Sequence, residues 1–286
     1  MRKSQSSLTA AGIAIMRAVE SEKPEGKRIC YDPYARAFVP GWFYAFTKFF
    51  INTGYAEMRG PGVMGFIVAR DRYIDDVLSE YLDTGIQQLV LLGAGFDSRA
   101  YRFEKLKQNV KVFEVDHPAT QADKIEKVIK LLGAQPLHVT YVPVDFNTQT
   151  LAQCLLDSSF DKHLKTLFIW QGVSMYLTPE AVDDTLRFVV NNSAPGSAIV
   201  FDYIYQKALD ESEKHNEVTN MRRYRFMTGE GLTFGLAEGR LENFLKERGF
   251  REIHDIGSND LKLRYFQGEN ADRKIASGYG IVVAEV

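Results

Sequence analysis

The sequence reads as an α/β protein with a doubly wound sheet of seven strands and helices on both faces. Three observations lead there. From residue 88 onward, short apolar runs alternate with longer helical stretches, the pattern of parallel strands buried on both sides. The first of those runs breaks at two glycines, in "LVLLGAGFDSRAYRF" from Leu89 to Phe103, where sheets of this kind turn around a nucleotide-like ligand. Later runs end in acids or amides, first Glu114 and Asp116, then Asp145, then Gln171, at the strand ends where such sheets bind ligands.

Residues 1–84 read as a helical cap. Thr9 is positioned to cap a helix in which Ala10, Ile13, Ala14 and Met16 recur at helical spacing. "YDPYARAF" places Pro33 early in a short helix, where its missing N–H costs least. "GWFYAFTKFFINTGY" is rich in aromatics, but Lys48 and Asn52 interrupt it. It also falls short of the ~20 apolar residues that cross a bilayer. "NTGYAEMRGPGVMGF" reads as a turn segment, and "GFIVARDRYIDDVLSEYL" as a long amphipathic helix with Phe66, Ala69, Tyr73, Val77 and Tyr81 on one stripe.

Residues 85–286 read as the sheet-bearing core, integrated with the cap. The strands are expected at 88–93, 111–116, 140–145, 166–171 and 197–204, followed late in the chain by "REIHDIG" and "YGIVVAEV". "HPATQADKIEKVIKLLG", "TPEAVDDTLRFVVNNS" and "AEGRLENFLKERGF" read as helices, and "DLKLRYF" as a helical stretch. Residues 206–235, charged and then glycine-rich, interrupt the alternation and suit a helical insertion or lid.

Composition narrows the function classes. The 286 residues are 45% hydrophobic and 25% charged, as in a soluble globular protein with a sizeable core. A net charge of −2 lacks the basic bias of a nucleic-acid binder, and the densest basic run, "MRRYR" from Met221 to Arg225, reads as a solvated helix face. The N-terminus begins basic but Arg17 and Glu20 break any apolar stretch, so it does not read as a signal peptide; neither does any segment read as a membrane anchor. Cys30 and Cys154 lie far apart and outside metal-ligand spacing. They are expected as free thiols in a reducing cytoplasm, with no bound metal.

The glycine turn Gly93-Ala94-Gly95 lets a ligand approach the backbone closely. Asp116 follows Gly93 at about the ~20-residue interval of an acid that holds ribose hydroxyls, although it could also cap the helix after His117 and Pro118. A dinucleotide fingerprint would put its third glycine at position 98, where Ser98 stands, and Asp97 would repel a pyrophosphate. A cofactor with a cationic centre and no phosphate fits better, which points to S-adenosylmethionine and away from NAD. Asp145 is suited to the adenine amino group, with Phe146 against the ring; Asp145 could also cap the helix that follows.

Four motifs in order, "LVLLGAGFDSRAYRF", "FEVDHP", "PVDF" and "WQGVSMYLTPE", resemble the leucine carboxyl methyltransferase family, which includes polyketide carboxyl methyltransferases and many small-molecule O-methyltransferases. The likeness extends to "SLTAAGIAIMRAVE", "YDPYA", "ARDRYIDD" and "GEGLTFGL". It implies a class I S-adenosylmethionine-dependent methyltransferase fold, Rossmann-like, whose last strand is antiparallel. It implies Arg70, rather than Arg72, on the methionine carboxylate, and Gly93 and Gly95 along the methionine end. Asp116 would hold the ribose, Asp145 and Phe146 the adenine. Gln171, before Gly172, departs from the family's usual glutamate: it keeps reach and hydrogen bonding but loses a negative charge. His117, beside the cofactor acid, reads chiefly as structural.

Methyl transfer is an in-line displacement at an already activated carbon, so alignment and desolvation dominate. A carboxylate acceptor needs no general base, whereas a phenol or alcohol does. The five histidines, at 117, 138, 163, 215 and 254, are scattered and supply no evident base. The sequence thus favours a small carboxylic acid as acceptor, with no nucleic-acid or membrane partner. Candidate acceptor-pocket residues are Tyr31, Tyr34, Trp42, Tyr176, Tyr203, Tyr224 and Arg225. A methyltransferase of a protein C-terminal carboxylate and a non-catalytic S-adenosylmethionine binder stay as alternatives. Asp97, Arg99 and Arg102 read as bracing the loop, with Asp97 alternatively on the cofactor's amino group.

Overall fold

The computed structural model describes residues 8–145, 148–208 and 231–286. Within them seven strands form one sheet: β1 (Gln88–Leu92), β2 (Lys111–Asp116), β3 (Val139–Pro143), β4 (Thr166–Trp170), β5 (Ala198–Ile204), β6 (Ile253–Gly257) and β7 (Tyr279–Glu285). Their spatial order is β3-β2-β1-β4-β5-β7-β6. The first five are mutually parallel, and β7 runs antiparallel to both β5 and β6. Chain order reverses between β1 and β4. The crevice beyond their carboxyl ends is therefore the place where an open parallel sheet binds ligands.

Helices α1 (Leu8–Ser21), α2 (Gly41–Asn52), α3 (Tyr55–Arg59) and α4 (Val63–Asp83) precede the sheet. The connections hold α5 (Arg99–Arg102), α6 (Leu106–Asn109), α7 (Pro118–Leu132), α8 (Leu151–Leu156), α9 (Pro179–Asn191), α10 (Leu241–Lys246) and α11 (Ser258–Tyr265). One apolar layer joins α1 and α4 to the sheet through Ile15, Phe66, Ile74 and Leu78. The other joins α8, α9 and α10 through Phe113, Phe168, Leu186, Phe201 and Leu245. Strands β1, β4 and β5 are buried along their whole length, which is why their sequences are apolar almost without alternation.

The cap is tied down by charge as well as by apolar packing. Glu20, on α1, is fully buried and accepts from both terminal nitrogens of Arg273, at 2.8 and 2.9 Å, across 253 residues of sequence. Arg17 reaches three separate elements and is taken up with the site below.

Two details of the cap differ from expectation. The segment around residues 52–66 is not one turn. The helix-forming run Tyr55–Arg59 makes α3, and Gly54 and Gly62, with φ of 74° and 75°, supply the reversals on either side. Thr9 already lies inside α1 rather than at its cap. Pro33 sits just ahead of a 3₁₀ turn, Ala35–Phe38, and the Asp32 carboxylate accepts from the N–H groups of Tyr34 and Ala35, each at 3.0 Å. Cys30 and Cys154 are both free thiols. Among the described residues no helix is long and apolar enough to cross a membrane, and no cluster of three or more His, Cys, Asp or Glu is placed to hold a metal. The expected lid falls largely within 209–230, outside the described residues, as does the "MRRYR" run.

Candidate functional site

The site is built from the turns that follow β1, β2, β4 and β5. After β1 the chain turns at Gly93 and Gly95, and after β4 at Gly172, with φ of 67°, 42° and 69°. These two turns touch: a β-carbon on Gly93 would overlap the side chain of Val173. Ala10 of α1 lies against Gly95, so the N-terminal helix walls one side of the glycine turn.

Asp116 ends β2, and its carboxylate accepts from the Gly95 N–H and, at 2.6 Å, from the His117 N–H. Burial pushes this carboxyl above its ordinary value against the pull of those two N–H groups. His117 is the N-cap of α7: its Nδ1 accepts from the Ala119 N–H at 3.2 Å, so that nitrogen carries no proton. His117, not Asp116, thus caps α7.

Asp145 follows β3 on the strand next to Asp116, the Val144 N–H bonding to the Asp116 carbonyl at 2.9 Å. Its suggested capping role goes instead to Thr150, whose hydroxyl accepts from the Gln153 N–H in a capping box that opens α8. Phe146, Tyr224 and Arg225 lie outside the described residues.

Behind the glycine turn is a closed ionic network. Fully buried Arg99 donates from Nε to Asp75 at 2.7 Å and from Nη1 to Asp97 at 2.5 Å. Nη1 also donates to Gln171 Oε1 at 2.8 Å, and Nη2 to the Asp71 carbonyl at 3.2 Å. Arg102 joins at Asp75, 2.6 Å away. Arg17 of α1 donates to Asp32 at 3.0 Å and to the Phe96 carbonyl at 2.6 Å, and its Nη1 faces Asp71 at 3.6 Å. Burial opposes ionisation of Asp97, yet Arg99, Arg17 and Lys124 together hold its carboxyl well below the usual carboxylate range. Asp97 and Arg102 are thus both tied into the network around Arg99 behind the turn.

Gln171 is part of this network. Its carbonyl accepts from Arg99 while its amide N–H donates to Asp71 Oδ2 at 3.2 Å. An amide satisfies both neighbours; a glutamate here would set a second carboxylate against Asp71. The departure from the family's usual residue thus has a local reason.

Arg70 and Arg72 lie in different surroundings. Arg72 is half exposed and pairs with Asp76 one helical turn on, at 2.9 Å. Arg70 is buried beside Gly172, where its Nη1 donates to Asp202 Oδ2 at 2.5 Å. Its Nε is buried and has no hydrogen-bond partner among the described residues. Burial lowers the guanidinium pKa, but Asp202 and Asp71 more than offset it, and the net direction is upward. Asp202 was not anticipated. The signal was a lone acid in the apolar run "AIVFDYI" of β5.

The aromatic candidates disperse. Tyr203 is buried on the opposite face of β5 from Asp202, donates to Asp255 at 2.9 and 3.0 Å, and fills the space over Gly280. It is therefore not gathered with Arg70. Trp42 is 75% exposed and Tyr31 is 48% exposed, stacked under Arg28. Tyr34 is half-buried against the core. Tyr176, half-buried in the 3₁₀ turn Ser174–Tyr176, stays nearest the Gly172 turn.

The residues present fit S-adenosylmethionine. A buried guanidinium has an unpartnered donor beside one glycine turn, a second glycine turn opens the backbone, and an acid ends the next strand. The sheet order with an antiparallel last strand is that of the class I S-adenosylmethionine-dependent methyltransferases. At the level of fold, an inferred methyltransferase from Thermobifida fusca YX superimposes with a TM-score of 0.61 at 16% identity, covering 98% of this chain and 95% of that one. A DUF574 family protein from Streptomyces avermitilis MA-4680 gives 0.60 at 14% identity, over 96% of each chain.

The family model for leucine carboxyl methyltransferase matches residues 10–190, and the chain belongs to that family. YktD of Bacillus subtilis (strain 168), an inferred S-adenosyl-L-methionine-dependent methyltransferase, is 33% identical over 199 residues, 70% of this chain and 65% of its own length. A like-named protein of Mycobacterium sp. (strain KMS) is 31% identical over 225 residues, 73% of this chain and 70% of its own. The match to YktD, like that to SCO7813 of Streptomyces coelicolor at 66%, spans just under two thirds of the relative's length.

Proposed function

We propose that the protein is an S-adenosylmethionine-dependent O-methyltransferase that esterifies a carboxylate on a small-molecule acceptor. The observation that carries this is the buried Arg70 beside the Gly172 turn, its Nε without a hydrogen-bond partner among the described residues, in a chain of this family. Arg70 would take the methionine carboxylate, Gly93, Ala94 and Gly95 the methionine chain, and Gln171 and Gly172 its far side. Asp116 would take the ribose, and Asp145 with Phe146 the adenine. When bound, the cofactor supplies a methyl group already activated by its sulfonium.

The chemistry at hand favours an acceptor that arrives ionised. Asp71, Asp97 and Asp202 each face an arginine, and Asp97, held well below the usual carboxylate range, is a poor base. His117 spends Nδ1 on its cap, and His138 Nε2 is bonded to the Ala100 carbonyl at 2.8 Å. A carboxylate acceptor needs only position and exclusion of water. The cap, residues 1–84, would shape the acceptor pocket over the core of residues 85–286. Free Cys30 and Cys154 accord with a cytoplasmic setting.

The test is transfer from methyl-labelled S-adenosylmethionine to a panel of aliphatic acids, aromatic acids and phenols, followed by mild alkali. Label released as methanol is the expected result and marks an ester. Label retained would mean an ether and a missing base. Tight cofactor binding with no turnover on any acceptor, including peptides with free C-termini, would leave a non-catalytic binder.

A further inference from the structure

Asp202 is the one acid in the apolar run of β5, and it is fully buried. Its two oxygens are divided between two elements. Oδ1 accepts from the Gly172 N–H and Oδ2 from Arg70 Nη1, each at 2.5 Å. Its carbonyl accepts from the Ser174 hydroxyl at 2.7 Å. The register explains this reach: Trp170 of β4 pairs with Phe201, so Asp202 stands level with the start of the turn that contains Gly172. One carboxylate thus joins the β4 turn, β5 and the α4 arginine.

A guanidinium is planar, so fixing one nitrogen limits where the others point. Asp202 holds Nη1. The edge it does not hold is Nε–Nη2, a fork that fits a carboxylate bidentately, and Nε is buried without a partner. Asp202 also lies 132 residues from Arg70 in sequence, so the pair exists only in the assembled sheet.

We propose that Asp202 is a positioning residue that presents the Nε–Nη2 edge of Arg70 to the α-carboxylate of the cofactor and aligns the Gly172 turn with it. This rests on the reading of the site as one for S-adenosylmethionine. Asp202 itself does not touch the ligand. Without it the arginine swivels, and the fork must be ordered at each binding event.

The test compares two probes by titration calorimetry: S-adenosylhomocysteine, and its decarboxylated analogue, which lacks only the α-carboxylate. Asp202→Asn is expected to weaken S-adenosylhomocysteine by about tenfold, the scale of one charge-assisted hydrogen bond. Binding of the decarboxylated analogue should stay the same within error. Asp202→Glu keeps the charge, and so the fold, while moving the carboxylate by one methylene; it should show the same selective loss. Equal losses on both probes would overturn the proposal in favour of general structural support. Unchanged or tighter binding of S-adenosylhomocysteine would also overturn it, because Asp202 would then compete with the ligand for Arg70. Wild-type protein that binds neither probe would instead sink the cofactor reading itself, and this inference with it.

Discussion

Two arginines stand at the carboxyl end of the sheet, and they are used in opposite ways. Arg99 donates to Asp75, Asp97, Asp71 and Gln171 and is itself fully buried. Arg70 is almost as buried, but it bonds only to Asp202 among the described residues, and its Nε has no partner. A saturated guanidinium fixes a shape and has no donor of its own left for a ligand. A buried donor without an acceptor is costly to keep, and it marks the place where something else supplies the acceptor. Function is therefore sought at Arg70, and rigidity at Arg99.

The hardest way to break this contrast is Arg99→Met. It strands the carboxylate of Asp97 and leaves Asp75 with Arg102 alone, and a loss of about 3–5 kcal/mol is expected in urea unfolding. A stable variant with an intact glycine turn would mean the network is not structural. Arg70→Lys comes next. It keeps the charge opposite Asp202 but gives up the planar fork, so S-adenosylhomocysteine should bind about tenfold more weakly by calorimetry while the melting temperature stays near that of the wild type.

Gln171→Glu sharpens the comparison through pH. The new carboxylate would face Asp71, so one of the pair acquires a folded-state pKa above the unfolded value of about 4. The penalty is absent below that unfolded value, where the pair holds its proton in both states. It grows as pH rises through the raised folded pKa. The variant should match the wild type near pH 4 and fall behind by about 1 kcal/mol near pH 7 in paired urea titrations. A constant gap across that range would mean a steric cause. The smallest effect belongs to Arg72→Ala, a half-exposed pair with Asp76: within about 0.5 kcal/mol in stability, and no change in ligand affinity.

The strands were legible because β1, β4 and β5 are apolar along their length, and the glycine turn because Gly93, Gly95 and Asp116 keep a recognisable interval. What stayed hidden depends on partners distant in sequence. Asp202 meets Arg70 across 132 residues, so its strand context showed an oddity and not a role. Gln171 looked like a lost charge until Asp71, 100 residues earlier, was seen to need its N–H. Tyr203 was among the candidate acceptor-pocket residues. Alternation sent its ring to the other face, onto Asp255. The α8 cap fell to Thr150 rather than Asp145 because the capping box needs Gln153 three residues on.

The clasp between Glu20 and Arg273 also sets an order of events during synthesis. Glu20 is made with Lys23 beside it, but the arginine that completes its set of partners is made 253 residues later. At about 5–20 residues per second, that is a wait of roughly 10–50 s. Over that interval the acid has Lys23 but lacks the two donors of Arg273, so α1 is not yet clasped to the end of the chain. The helix that walls the glycine turn is thus made long before its clasp is complete. A ribosome-bound chain stopped short of residue 273 should leave the flank of Gly95 open to protease or chaperone.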